Sequence, residues 1–144
     1  MKLLWLCNSA PGVVKSHMTG KNLGAVNWVD HVLEGLRQQG LTVRILCPGN
    51  GEAGTLDETC SYATFSMGEP WVYSAETEAM FCRELRAYQP DVIHSWGTEY
   101  AHTQAMANAA EKEGKLDRLV ASIQGLCSVW TAHYAEGVPF DVQR

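Results

Sequence analysis

The sequence predicts an α/β fold built on an open, doubly wound and mainly parallel sheet. The first observation is that short apolar runs alternate with amphipathic helical segments along the chain. This alternation is typical of parallel strands joined by right-handed crossovers. The second observation is the size of the chain, which has 144 residues, of which 46% are hydrophobic. A single domain of this length buries a sizeable core without a metal or disulfide staple.

The first half of the chain begins with a continuous apolar run at Leu3–Cys7, which predicts a buried strand. Residues 9–22 are mostly polar and are predicted to form a long loop. Apolar residues then recur at helical spacing over residues 25–36, and Gly40 is placed to end this helix. The run Thr42–Cys47 predicts the second strand.

The second half continues the alternation after a predicted loop over residues 48–59. The pattern predicts, in order, a short strand at Ser61–Ser66, a helix at Glu76–Tyr88, a strand at Asp91–Trp96, an Ala-rich helix at Ala101–Glu113 and a last strand at Leu119–Ile123. Gly114 is placed to end the Ala-rich helix. No internal repeat or linker divides the chain.

Composition excludes several classes of protein. The formal net charge is −5 and the basic residues are scattered, which argues against a nucleic-acid-binding or anionic-membrane surface. No apolar stretch reaches the ~18–20 residues that a membrane-spanning helix needs. The 5 cysteines are odd in number and form no C-x-x-C pair, so we expect reduced thiols in a cytoplasmic protein.

Candidate ligand-binding segments lie where the predicted parallel strands end, because ligands of open α/β sheets bind beyond the carboxyl ends of the strands. Three segments follow such ends: 9–23, 96–100 and 124–126. The first is long for a strand-to-helix connection and contains glycines, and the helix after it would offer N–H groups to an anion. It contains neither G-x-G-x-x-G nor G-x-x-x-x-G-K-[ST], so no nucleotide fingerprint is present.

Individual side chains near these ends allow two interpretations each. His94 ends an apolar strand, either as a buried histidine bonded to backbone or as a cleft residue that orients a hydroxyl or phosphate. Trp96 either packs in the core or stacks on a sugar or base. Glu99 and His102 can share a helix face and, with His94, could bind a metal. No fourth ligand is apparent, so we predict no metal site.

Three segments together resemble the N-terminal half of a GT-B glycosyltransferase: NLGAVNWVDHVLEGLRQQG at 22–40, PDVIHSWGTEYAHTQA at 90–105 and LVASIQGL at 119–126. They are most similar to the retaining, nucleotide-sugar-dependent family-4 group. That group has a glycine-containing loop, a helix ending near "L…G", a "PDVVH-x-H" segment and a strand ending "T-x-H", in this order. The resemblance implies a single Rossmann-like N-terminal domain over residues 1–144, with the C-terminal donor-binding domain absent from this chain.

The resemblance also implies roles for particular residues. Gly24 matches the glycine of the loop that approaches the donor diphosphate. The acceptor or donor sugar would be lined by His94, Trp96, Gly97, Glu99 and Gln124. Trp96 replaces the second His of "H-x-H", and Gln124 replaces the His of "T-x-H". Glutamine cannot carry a proton in acid–base work, so no residue is assigned a catalytic role.

The function that the resemblance implies is transfer of a sugar from a nucleotide-sugar to a glycan, lipid or other hydroxyl acceptor. This chain would supply the acceptor side and be inactive alone, because half a cleft cannot preorganise a transition state. We expect no metal, no cofactor beyond the nucleotide-sugar substrate and no nucleic-acid partner. We expect a cytoplasmic protein, with peripheral association with the inner face of the membrane left open. The alternative is a stand-alone α/β ligand-binding or regulatory module without catalysis.

Overall fold

The computed structural model describes residues 1–24 and 28–123. Strands and helices alternate over most of this part of the chain. The strands are β1 Lys2–Leu6, β2 Thr42–Pro48, β3 Ala53–Asp57, β4 Cys60–Phe65, β5 Val92–Trp96 and β6 Leu119–Ser122. The helices are α1 Gly12–Thr19, α2 Trp28–Gln38, α3 Ala75–Tyr88 and α4 Ala101–Lys112, and a short 3₁₀ turn at Leu116–Arg118 precedes β6.

The described strands form one six-stranded sheet in the order β3-β4-β2-β1-β5-β6. Every neighbouring pair is parallel except β3 with β4, which is antiparallel. The chain first builds the sheet outward from β1 through β2 and β4, and then returns to the other side of β1 with β5 and β6. The strand order therefore reverses between β1 and β5, so their carboxyl ends border the crevice at which such sheets bind ligands.

Side chains of the sheet alternate between two cores, one on each face. Leu4 and Leu6 of β1 belong to a cluster that includes Phe81 and Leu85 of α3. Leu3 and Trp5 belong to a second cluster, which includes residues of α1 and α2. Helices thus cover both faces of the sheet, as the α/β prediction requires, and the continuous apolar runs of β1 and β2 reflect burial on both sides.

The predicted element ends are largely confirmed. Gly40 follows α2 with φ +74°, a left-handed conformation that glycine adopts without steric cost, and Gly114 follows α4 with φ +63°. Ser74 caps the start of α3, since its side chain accepts a hydrogen bond of 3.2 Å from the Thr77 N–H. Among the described helices, none is long and apolar enough to cross a membrane.

Two predicted loops were wrong in part. The segment 9–22 contains helix α1, which buries only Gly12 and Val14 and has no side-chain cap of its own. The segment 48–59 contains β3, an edge strand in which no residue is buried. Neither element has an apolar periodicity by which the sequence could have predicted it. Tertiary contacts hold both of them, since the Asp30 carboxylate of α2 caps α1 and β3 pairs with β4.

Candidate functional site

The crevice between the ends of β1 and β5 brings together polar residues that are distant in sequence. Asn8 follows β1, whereas Gly97 and Glu99 follow β5 and His102 lies in the first turn of α4. These four residues define the crevice site. Gly97 is held in place because its N–H donates to the Ser122 carbonyl at 2.8 Å and its carbonyl accepts from Thr103 Oγ1 at 2.9 Å.

A hydrogen bond of 2.8 Å joins His102 Nε2 to Asn8 Oδ1. A carbonyl oxygen only accepts, so Nε2 carries the proton and Nδ1 is left as the acceptor of a neutral ring. The same orientation turns the Asn8 amide nitrogen toward the Glu99 carboxylate, which makes it electrostatically favourable. His102 thereby fixes the direction in which Asn8 presents its donor.

Gly97 lies directly beneath this amide–carboxylate pair. A Cβ built at Gly97 would lie 2.2 Å from Glu99 Oε2 and 2.5 Å from Asn8 Nδ2, and the residue has φ +88°. Only glycine lets both side chains pack this closely over the backbone. Glu99 Oε2 is buried here and makes no hydrogen bond. The site therefore contains a carboxylate whose hydrogen-bonding capacity is incompletely used.

His102 itself is only 6% exposed, and burial lowers its pKa to about 4 despite the opposing effect of nearby Glu99. Aromatic rings surround it, with Phe65 at 5.3 Å and Tyr100 stacked at 5.5 Å between ring centroids. Trp71 contacts the Tyr100 ring at 5.3 Å. A row of rings thus runs from the buried His102 to Trp71 on the surface.

His94 and Trp96 lie on the face of the sheet that α1 and α2 cover. His94 Nε2 bonds to Ser122 Oγ at 2.8 Å, so its partner is a side-chain hydroxyl rather than the backbone. Burial lowers the pKa of His94. Trp96 contacts the rings of His94 at 5.1 Å and Trp28 at 4.6 Å. Trp96 is half-buried and packs against the core cluster on this face.

Glu99 also lines an open surface pocket of about 410 Å³. Trp71, Thr98, Tyr100 and Gln104 contribute to its wall. This volume falls in the range of small-molecule sites. Because the Glu99 carboxylate also packs over Gly97 on its inner side, the pocket and the crevice site share this carboxylate.

Gly24 lies elsewhere, in a groove between α1 and α2 that it shares with Ser16, Asp30 and Arg37. No residue of this groove lines the pockets that contain Trp96 or Glu99. Gly24 has φ +63°. Within this groove, the Asp30 carboxylate accepts hydrogen bonds from the Gly12 N–H at 2.6 Å and the Val13 N–H at 3.4 Å, at the start of α1. A carboxylate of the protein thus occupies amides that could bind an external anion.

The structure brings together four of the predicted site residues in two pairs, His94 with Trp96 and Gly97 with Glu99. Gln124 lies outside the described residues. Within the ranges 1–24 and 28–123, no group of three His, Cys, Asp or Glu side chains is arranged to hold a metal ion. His102 bonds to Asn8 instead of joining His94.

Sequence reasoning missed Asn8 and Trp71 as site residues. The position of Asn8 directly after a buried strand was a usable signal, because that is where ligands of parallel sheets bind. Trp71 follows β4 in a loop that gave no periodic pattern.

Comparisons of the chain with protein-family models, with curated proteins and with solved structures found no match.

Proposed function

We propose that the chain is the acceptor-side domain of a nucleotide-sugar-dependent glycosyltransferase of the GT-B type, and that the crevice site binds the hydroxyl-bearing acceptor. The observation that carries this proposal is the Glu99 carboxylate, which packs over Gly97 on its inner side and lines the open pocket of about 410 Å³ on its outer side. The sequence resemblance supplies the class of reaction. We place this activity in the cytoplasm.

The chemistry of the site suits a neutral polyhydroxyl ligand. A carboxylate accepts hydrogen bonds from hydroxyl groups, and an amide nitrogen donates to hydroxyl oxygens. Glu99 and Asn8 supply these two functions side by side, on loops that follow adjacent strands. His102 is a positioning residue, since its bond to Asn8 Oδ1 fixes the orientation of the amide. In this proposal Glu99 orients the acceptor hydroxyl toward a donor held across the cleft.

A second candidate is a ligand-binding or regulatory module without catalysis. The observation that favours it is the Asp30 carboxylate at the first amides of α1, where an external diphosphate would otherwise find donors. In a transferase, the diphosphate would approach Gly24 and would have to bind without these amides. In a module, no diphosphate is needed and Asp30 serves as a permanent cap.

Binding measurements test the acceptor site. Methyl pyranosides are titrated into the ¹⁵N-labelled 144-residue chain, and amide shifts give the affinity. Glu99→Gln removes the negative charge with little change in shape, and we expect it to weaken binding by about tenfold, as for the loss of one charge-assisted hydrogen bond. Glu111→Gln, on the exposed C-terminal end of α4, is the matched control and should bind like the wild type.

Transfer measurements separate the two candidates. The complete gene product is incubated with nucleotide-sugars and the pyranosides that bind. Sugar transfer that is reduced in Glu99→Gln supports the transferase. Sugar binding without transfer from any donor supports the module. Equal binding by the wild type and Glu99→Gln removes the crevice site from either function.

A further inference from the structure

We infer that Trp71 is a stacking platform for a pyranose ring, so that the pocket beside Glu99 selects cyclic sugars over acyclic polyols. This inference rests on the proposed function and specifies its substrate class. It concerns a residue outside the β1 and β5 ends, on the loop between β4 and α3.

The exposure of Trp71 is the first observation. Its side chain is 71% exposed, the largest exposed fraction among the large hydrophobic residues of the described part of the chain. Indole rings are highly buried on average, and Trp71 is exposed together with its neighbours Val72 and Tyr73, so this apolar patch at the mouth of a pocket is a candidate binding surface. Trp71 lines the pocket of about 410 Å³ that also contains Glu99.

The second observation is that Trp71 is mounted on a braced loop. The Pro70 carbonyl accepts a hydrogen bond of 2.8 Å from the Ala101 N–H, which ties the loop to the start of α4. The Val72 N–H donates to the Glu69 carbonyl at 3.0 Å and closes a turn around Trp71. The Tyr73 hydroxyl donates to the buried Glu78 carboxylate. The backbone that carries the ring is therefore held in place before a ligand arrives, which lowers the entropy cost of binding.

The third observation is the chemical pattern of the pocket. One wall is the Trp71 ring, supported by Tyr100 at 5.3 Å. The other residues offer the Glu99 carboxylate, the Thr98 hydroxyl and the Gln104 amide. A pyranose has an apolar C–H face and a rim of hydroxyl groups, so a flat ring next to hydrogen-bonding groups matches it. An acyclic polyol has the hydroxyl groups but no fixed apolar face.

The charge of the pocket lining restricts the class of ligand further. Glu99 is the only charged side chain among the described residues that line this pocket, and no lysine or arginine belongs to it. A phosphate or carboxylate ligand would meet a negative charge with no cation to balance it. The pocket therefore fits a neutral sugar, as expected on the acceptor side.

The experiment compares ring and chain probes on three proteins. Methyl α-glucopyranoside, methyl α-galactopyranoside and methyl α-mannopyranoside are the cyclic probes, and sorbitol is the acyclic one. Affinities come from ¹⁵N amide shifts of the full 144-residue chain. The proteins are the wild type, Trp71→Ala, which removes the platform, and Trp71→Phe, which keeps an aromatic face. Trp71 lies on the surface, so these substitutions leave the core unchanged, and the amide spectrum of each variant verifies the fold.

We expect at least one pyranoside to bind the wild type more tightly than sorbitol. Trp71→Ala should raise the Kd of that pyranoside by several-fold, up to about tenfold, and should leave sorbitol unchanged. Trp71→Phe should recover most of the loss. Unchanged pyranoside affinity in Trp71→Ala, with binding still weakened in Glu99→Gln, overturns the role of Trp71 and leaves the proposed function standing. Absence of binding of every probe to the wild type overturns both.

Discussion

His102 Nε2 donates a hydrogen bond of 2.8 Å to Asn8 Oδ1 and so joins the first turn of α4 to the end of β1. The two residues are 94 positions apart in the chain. The bond sets the tautomer of the His102 ring and the orientation of the Asn8 amide. It thereby fixes the position of the Asn8 amide nitrogen over Gly97. The crevice site therefore depends on a contact that forms only when the sheet has assembled.

The first prediction concerns the strength of this contact. Asn8→Ala leaves the buried Nε2–H of His102 without an acceptor, and we expect a loss of about 1–3 kcal/mol in the free energy of unfolding. A double-mutant cycle with His102→Phe isolates the interaction, for which we expect a coupling of about 1 kcal/mol. Urea unfolding measures both. Additive effects of the two substitutions would contradict the bond.

The second prediction concerns pH. The folded pKa of His102, about 4, lies below its ordinary value of 6.5, so the unfolded chain takes up a proton first as the pH falls. The stabilising effect of the neutral ring is complete above pH 6.5 and is lost as the pH falls toward 4. Over this window we expect a loss on the order of 3 kcal/mol from His102 alone.

Urea unfolding between pH 7 and pH 4.5 tests this pH dependence. His102→Gln should unfold with a visibly smaller dependence on pH than the wild type. His94 also has a lowered pKa and contributes in the same direction, so His94→Gln provides the comparison. Equal pH dependence in the wild type and His102→Gln would show that His102 is not held neutral by burial.

The third prediction uses two glycines with similar backbone conformations. Gly97 and Gly20 have φ +88° and +68°, but an added Cβ meets Glu99 and Asn8 at Gly97 and nothing within 4 Å at Gly20. Gly20→Ala should therefore cost only the left-handed backbone penalty of about 1–2 kcal/mol. Gly97→Ala should cost more and should also weaken pyranoside binding. Thermal unfolding measures the stability of both variants, and titration measures their affinity for the pyranoside. Similar losses of stability in both variants would count against close packing at Gly97.

The fourth prediction concerns the cap of α1. Asp30→Ala removes the carboxylate that accepts from the Gly12 N–H, and we expect a loss of about 0.5–2 kcal/mol in stability. The substitution also opens the first amides of α1 to an external anion. Pyrophosphate should then shift the Gly12 amide resonance in Asp30→Ala but not in the wild type or in Asp117→Ala. A shift of equal size in the wild type would mean that Asp30 does not block this helix end.

Much of the fold could be predicted from the sequence because its central strands are buried on both faces. The apolar runs of β1 and β2 reflect that burial directly. Helix α1 and strand β3 could not be predicted in the same way, since a cap from Asp30 and pairing with β4 hold them. Both depend on tertiary contacts and leave little periodicity in the local sequence.

The candidate site was only partly predictable for a related reason. Gly97 and Glu99 follow a strand that the pattern identified, so the strand-end rule pointed to them. The same rule pointed to the end of β1, but nothing in the sequence pairs Asn8 with His102. The exposure of Trp71 is likewise a property of the folded loop, and its place beside Glu99 follows from the tie between Pro70 and Ala101.

Ligand mapping by NMR shows whether the acceptor binds at the ends of β1 and β5. The chain offers a rival location, a larger groove of about 890 Å³ between β4 and α3 that includes Ser66, Met80 and Arg83. With a bound pyranoside, we expect the largest amide shifts at Asn8 and over residues 97–104. Largest shifts at Ser66, Met80 and Arg83, with residues 97–104 unmoved, would contradict it.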